Sequence, residues 1–274
     1  MKTELSDRKI VRQSHSLNFS KFSLSALSID ILFLFFAQIA KEDEEFKEFK
    51  ITFRELEKKL NKRIDKDYID KVCEELLTNP LRIQEEKSVL RCNFVSSARY
   101  SKEESWLQLK VSDDLKEHLL KVEKNYVLSN YLSISKLKGS YTKRIYSILS
   151  QFKKTGFYKV DVEKLMYILD LENKYQKYGD FKRRILNSSM KEINEKSDIE
   201  FSFKEITENL KVVRLEFFIK IKKDLVDDSH DFVDEYNQLI AKYDKKAKEK
   251  GYEGSFSQYD DSAYIDSLLE IRPF

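Results

Sequence analysis

Residues 180–194 read DFKRRILNSSMKEIN, and Arg183 and Arg184 within them are the only Arg-Arg pair in the chain. A guanidinium fork donates paired hydrogen bonds to phosphate oxygens or to a guanine edge, a geometry that the point charge of lysine does not match. At about 100° of rotation per residue, Phe181, Ile185, Leu186, Ser189 and Ile193 gather on one side of a helix, and Arg183, Arg184, Asn187, Lys191 and Asn194 on the other. The stretch therefore predicts a helix with one face to pack and one to read a polyanion. Asp180 is placed to cap its first amides, and Gly179 lets the chain enter sharply. A solvated amphipathic helix has the same pattern, so the surroundings must decide.

Other chemistries find little support. His15, His118 and His230 lie far apart, so no histidine cluster stands ready to hold a metal beside a nucleophilic tyrosine. No GxxxxGK[ST] phosphate loop occurs. Asp227/Asp228 and Asp260/Asp261 belong to a charged tail, where acidic pairs are usually just solvated. Cys73 and Cys92 have no CxxC neighbour and read as small apolar residues in a reducing cytoplasm. Neither an enzyme, a metal site nor a cofactor is expected. The run Ile31 to Ala37 is far short of the ~20 residues that span a bilayer, and no apolar leader precedes it. No membrane role is expected.

The net charge of +3 conceals a strong partition. Basic against acidic residues number 24 to 23 in residues 1–135, 21 to 12 in residues 136–223, and 6 to 13 in residues 224–274. The balances are therefore +1, +9 and −7. A basic middle block flanked by a neutral block and an acidic tail points to a polyanion as its partner.

The elements that must position the reading helix come in a repeated order. Residues 1–20 form a polar arm, loosely ordered until it meets DNA or the rest of the protein. Leu24 to Ala40 predicts a buried helix, Phe49 to Phe53 a short strand, and Thr52 with Glu55 a capping box opening a second helix. Asp67 to Leu77 predicts a third helix with Tyr68, Ile69, Val72, Cys73 and Leu76 inward, stopped by Pro80. Leu81 to Gln84, Val89 to Val95 and Trp106 to Val111 read as strands of one small antiparallel sheet, and Ser112 to Lys124 as a helix. Helix, strand, helix, helix, sheet is the layout of a winged helix-turn-helix.

The order then recurs: helix at Leu137 to Phe152, strand at Phe157 to Val160, helix at Val162 to Leu169, the Asp180 helix, and two long strands joined across Thr207 to Lys211. ITFRELEKKL from Ile51 matches VDVEKLMYIL from Val160, Tyr68 and Val72 answer to Phe181 and Ile185, and VLRCNFV from Val89 resembles VVRLEFF from Val212. The fold class expected is α+β: two tandem winged-helix domains related by internal duplication, at residues 21–128 and 129–223. An acidic C-terminal extension, residues 224–274, follows them.

The two third helices differ in charge. The outward set of the first is Asp67, Asp70, Lys71, Glu74 and Glu75, which phosphate repels; that of the second attracts it. The second module is therefore expected to enter the major groove. The first is expected to mediate dimerisation or to touch the DNA backbone through Lys58, Lys59, Lys62, Arg63 and Lys66. In the second, Lys177, Lys182 and Lys191 would neutralise phosphates while Arg183, Arg184 and Asn187 read base edges. Lys211 and Arg214 would carry the hairpin to the adjacent backbone or minor groove.

Taken together, LKGSYTKRIYSILSQFKKTG from Leu137, VDVEKLMYILD from Val160, YQKYGDFKRRIL with MKEINEKSDIEFSFKEI up to Ile206, and VVRLEFFIKIKK from Val212 resemble the Rep_3 class of theta-type plasmid replication initiators. SLNFSKFSLSALSIDILFLFFAQI is more loosely similar to that family's N-terminal entry, so the likeness covers roughly the first 223 residues. The resemblance implies tandem winged helices that bind directly repeated origin sequences, the iterons, with Phe181 to Asn194 as the recognition helix. It also implies a homodimer that binds an inverted repeat at its own promoter and represses it. It further implies that a host replication initiator and helicase are recruited to an AT-rich region that opens. The acidic tail departs from the family pattern. A winged-helix regulator without origin function stays open as an alternative, as does a scaffold for an acidic protein; tandem repeats or a single palindrome in the bound DNA would separate the first two readings.

Overall fold

The computed structural model describes residues 8–40, 42–85, 87–120, 122 and 126–222. The acidic extension lies outside the described residues, and with it the amphipathic stretch at Phe232 to Tyr243.

The N-terminal segment is built into the molecule. β1 (Ile10–Ser14) pairs antiparallel with β7 (Tyr126–Asn130), and α1 (His15–Asn18) follows under a Ser14 cap. Asn18 is fully buried and donates to the Ser147 carbonyl at 3.0 Å. Of the two partners open to the arm, Ile10 to Asn18 has the rest of the protein.

In the first module, α2 (Ala26–Phe36) is apolar on nearly every side and is buried from Ser28 to Phe36. β2 (Phe49–Thr52) leads into α3 (Phe53–Leu60) through the expected capping box, in which Thr52 and Glu55 exchange side-chain-to-backbone bonds. α4 (Asp67–Thr78) buries Ile69, Val72, Cys73 and Leu76, but Tyr68 is 54% exposed, contrary to the inward placement expected of it. Tyr68 precedes Ile69 by one residue, about 100° around the helix, and that step carries it off the packed stripe.

The strands divide differently from the expected single sheet. β3 (Leu81–Gln84) and β4 (Val89–Cys92) form a two-stranded ladder. β2, β5 (Val95–Ser101) and β6 (Trp106–Val111) form a separate sheet in the order β2-β6-β5. The break falls at Phe94, which is 1% exposed and packs edge-on against Phe22 at 4.8 Å. A ring driven into the core there ends one strand before the next begins. Ser112 to Lys124 yields only a short 3₁₀ turn, Asp113–Leu115, and α5 (Lys116–Leu119) among its described residues.

After α6 (Tyr131–Lys136), the second module comprises α7 (Ser140–Ser150), β8 (Phe157–Asp161), α8 (Val162–Ile168), α9 (Tyr178–Phe181), α10 (Asn187–Lys196), β9 (Ile199–Glu208) and β10 (Lys211–Ile221). Its sheet runs β8-β10-β9. Each module thus has a strand ahead of its second helix, then a hairpin whose returning strand lies in the middle. This topology assigns β6 as the counterpart of β10. The match of VLRCNFV to VVRLEFF is therefore overturned, because Val89–Cys92 is an edge strand of the separate ladder. Apolar alternation is shared by all half-buried strands and does not carry register between modules.

α7 packs against α2, α6 and α10, and it buries polar side chains as well as apolar ones. Lys143 Nζ lies 2.5 Å from Asp30 Oδ1 on α2 and 2.6 Å from the Ile134 carbonyl. Arg144 donates to the Ser20 carbonyl at 2.7 Å and lies over the Phe22 ring at 3.7 Å. These contacts join the two modules into one continuous core.

Candidate nucleic-acid interface

The reading helix starts earlier than Asp180. α9 begins at Tyr178 with Lys177 in the capping position, and Asp180 lies within the first turn. The Tyr178 and Tyr175 rings both contact Phe181, with centroids about 6.3 and 6.2 Å away, and they hold that earlier turn in place. Gly179 has neither a left-handed φ nor a close neighbour where a Cβ would stand, so a sharp entry is not its reason. The Asp180 carboxylate instead accepts from Arg183 Nη2 at 2.9 Å.

Between α9 and α10 the chain makes a π-helical turn, Lys182–Leu186. Phe181, Ile185, Ser189 and Ile193 recur every four residues, a spacing that drifts off one face of an ideal 3.6-residue helix. One wider turn absorbs the drift, and with Leu186 all five residues are buried. π-turns of this sort are frequent at functional sites. Here the turn contains both arginines.

On the opposite face Arg183, Arg184, Asn187 and Lys191 are all exposed. Among the described residues, the side chains of Arg184, Asn187 and Lys191 hold no hydrogen bond or ion pair. A row of donors without intramolecular partners is what a ligand rich in acceptors can engage at little cost. Asn194 does not belong to this row: its amide donates to the Phe201 carbonyl at 2.9 Å and accepts from the Phe201 amide at 2.7 Å, which pins β9 to the helix.

Acidic residues that the sequence left without a role hold two further cations, Lys182 and Arg214. Glu205 on β9 takes the Lys182 ammonium at 2.9 Å and the Tyr178 hydroxyl at 2.5 Å on the same oxygen. Burial pushes the Glu205 carboxyl up, but the hydrogen bonds from Tyr178 and Lys182 outweigh it and hold it below the usual glutamate range. Burial, then Glu205, raises the Tyr178 hydroxyl. Arg214 on β10 binds Asp161 at 2.9 Å across the sheet. Lys177 is exposed at the helix start, and Lys211 lies at the wing tip opposite Glu208. The signal available in the sequence was the i,i+3 spacing of Asp180 and Arg183; Glu205 is 23 positions from Lys182, and only the fold joins them.

The first module presents another surface. Lys58, Arg63 and Lys66 are exposed and Lys59 is half-buried, whereas Lys62 turns inward to Asp30 Oδ2 at 2.6 Å. Lys66 also donates to Ser105 Oγ at 2.7 Å. On α4, Asp67 pairs with Lys102 at 2.9 Å, Asp70 accepts from the Tyr100 hydroxyl at 2.7 Å, and Glu75 accepts from the Ser25 amide at 3.0 Å. That helix is acidic and occupied where its counterpart is basic and open.

A cleft of about 1300 Å³ lies between the modules. Its charged lining is mixed, with Arg82, Lys159, Lys164 and Arg214 beside Asp161, Glu163 and Glu172, and Arg214 there is already bound to Asp161. No grouping of metal-ligating side chains occurs among the described residues, and no helix there is long and apolar enough to cross a membrane.

Residues 10–150 match the family model described as initiator replication protein, WH1, and residues 161–219 match initiator Rep protein, WH2. The first match runs through α7, the helix that opens the second module by topology and packs on both. The chain is 27% identical over 141 residues to the PI protein of Escherichia coli, covering 46% of each chain, so it spans about half the length of that relative. It is similar in fold to a crystal structure of Pi initiator protein in complex with iteron DNA: TM-score 0.65, 18% identity, 80% of this chain and 100% of the other covered.

Proposed function

The chain belongs to the initiator replication protein family, and from that premise we propose that it initiates plasmid replication by binding direct repeats, iterons, in double-stranded origin DNA. The observation that carries this reading is the exposed row Arg183, Arg184, Asn187 and Lys191, which runs from the π-turn into α10 beside a hairpin wing, with Arg184, Asn187 and Lys191 free of partners among the described residues. A relative of the same fold has been crystallised with iteron DNA, which favours the same ligand here.

In this reading α9 to α10 lies in the major groove. Arg183 and Arg184 donate to guanine O6 and N7, and Asn187 pairs with an adenine edge. Lys177 and Lys191 displace counterions from phosphates and make the affinity steeply salt-dependent, while Glu205 holds Lys182 back from the backbone. Lys211 and Arg214 bring the hairpin against the backbone. The first module contributes dimerisation or backbone contacts through Lys58, Lys59, Arg63 and Lys66. As a dimer the protein represses its own promoter at an inverted repeat, and at the origin it recruits the host initiator and helicase.

The test is selection of duplexes by the full chain from the DNA flanking its gene, at fixed salt. Direct repeats spaced about two helical turns apart, beside an AT-rich stretch, are expected. Arg183→Ala or Arg184→Ala should each weaken the cognate repeat by about 1–3 kcal/mol, the size of a bidentate base contact. Capture of a single palindrome alone would favour a regulator, and an unchanged affinity of the double variant would remove the arginines from the reading face.

A further inference from the structure

We propose that Leu210, at the tip of the β9–β10 hairpin, is an apolar wedge that seats in the DNA minor groove half a turn from the reading helix. The inference rests on the DNA-binding reading above and assigns a residue that charge could not find.

Leu210 is fully exposed, at 100%, and its φ is +65°. It follows Asn209, at φ +48°, in a two-residue turn closed by the Glu208–Lys211 pair. Both central residues of such a turn are left-handed, which suits Asn and Gly and disfavours a leucine. Asn209 fits the turn; Leu210 strains it while burying nothing. A strained backbone position at an exposed loop tip is a mark of function when the fold gains nothing from the residue.

Charge at the tip is balanced and does not by itself account for the leucine beside Lys211. Lys211 stands directly across the ladder from Glu208, so the pair carries no net charge. Beside the exposed Asn209 and Lys211, the tip offers a ligand one fully exposed apolar side chain, the leucine. Minor-groove proteins use leucine in this way, pressing it against sugar walls or between base steps while neighbouring cations hold the backbone.

The reach agrees. Glu205 marks where the hairpin leaves the helix, because it binds Tyr178 and Lys182 there. Five strand residues beyond it, at about 3.3 Å each, carry Leu210 about 17 Å further, which is half of one DNA turn. A helix in the major groove thereby places the tip at the adjacent minor groove.

The experiment compares the full-length protein with Leu210→Gly and Leu210→Asn, on a duplex that the wild type selects from a random-sequence pool. Both substitutions suit a left-handed turn, so thermal stability should equal or exceed that of the wild type. Affinity should fall at least about tenfold, the lower end of the effect of removing one buried leucine side chain from an interface. Dimethyl sulfate reads both grooves, through guanine N7 in the major and adenine N3 in the minor. The wild type should protect adenine N3 about half a turn from its protected guanines; the variants should lose that protection and keep the guanine protection. Unchanged affinity in both variants, or reduced affinity with adenine protection retained, would overturn the wedge while leaving the DNA-binding reading standing. A wild type that selects no duplex would overturn that reading and the wedge with it.

Discussion

Lys182 on the reading helix and Glu205 on the adjacent strand are joined by an ion pair of 2.9 Å, whose carboxylate oxygen also accepts the Tyr178 hydroxyl. The helix and the wing are thus fixed to each other by Glu205, Lys182 and Tyr178. An acid in that position restrains a cation that would otherwise reach a phosphate.

Replacing Glu205 with Gln should release Lys182. Affinity for non-cognate duplex should rise several-fold, and the slope of log affinity against log salt should steepen by about 0.9, the change expected for one added phosphate contact. An unchanged slope would mean that Lys182 does not turn to the DNA. Because the Glu205 carboxyl is held below its ordinary value of 4.5, its stabilising contribution is present above that pH. It is lost as the pH falls through the lowered value, and Glu205→Gln should flatten this part of the acid titration.

Asn194 should prove structural. Asn194→Ala removes both amide bonds to the Phe201 backbone and should destabilise the protein by about 2 kcal/mol in urea unfolding, about 1 for each lost bond. The guanine protection at the reading helix should survive. Selective loss of sequence preference at full stability would place Asn194 on the reading face instead.

The Asp30–Lys143 pair crosses between modules with both side chains almost fully buried. Asp30→Asn leaves the buried Lys143 without its carboxylate and should cost about 3–5 kcal/mol; Lys143→Met should cost less, because Lys62 stays on Asp30 at 2.6 Å, and Asp30→Leu with Lys143→Met should cost less than the sum. Burial pushes the Lys143 ammonium down to about 8 from 10.5, against the pull of Asp30. Between those values the unfolded chain binds the proton that the folded one has released. The wild type should therefore gain stability relative to Lys143→Met as the pH rises from 8 to 10.5. Parallel curves would show that Lys143 titrates normally.

Burial pushes the thiols of Cys73 and Cys92 up from 9.0 to about 11. At pH 8 their thiolate fraction should be about a hundredfold below that of an ordinary cysteine, and alkylation of the native protein correspondingly slow. Both should react readily in urea. Fast labelling of either in the native state would contradict its raised thiol pKa.

The residues alone marked the main helices of both modules, the capping box at Thr52, the apolar stripe from Phe181 to Ile193 and the contrast between an acidic and a basic third helix. Each is a local pattern, set by periodicity and charge within a dozen residues. The tertiary structure decided the rest. It took Tyr68 off the core, gave Val89–Cys92 a ladder of its own, and made β6 the partner in kind of β10, because strand alternation does not specify which edges meet. Burial turned Lys62 toward Asp30, and the wing brought Glu205 to Lys182. Pairings between residues far apart in the chain depend on how sheets and helices close upon one another, and no spacing in the sequence records that closure.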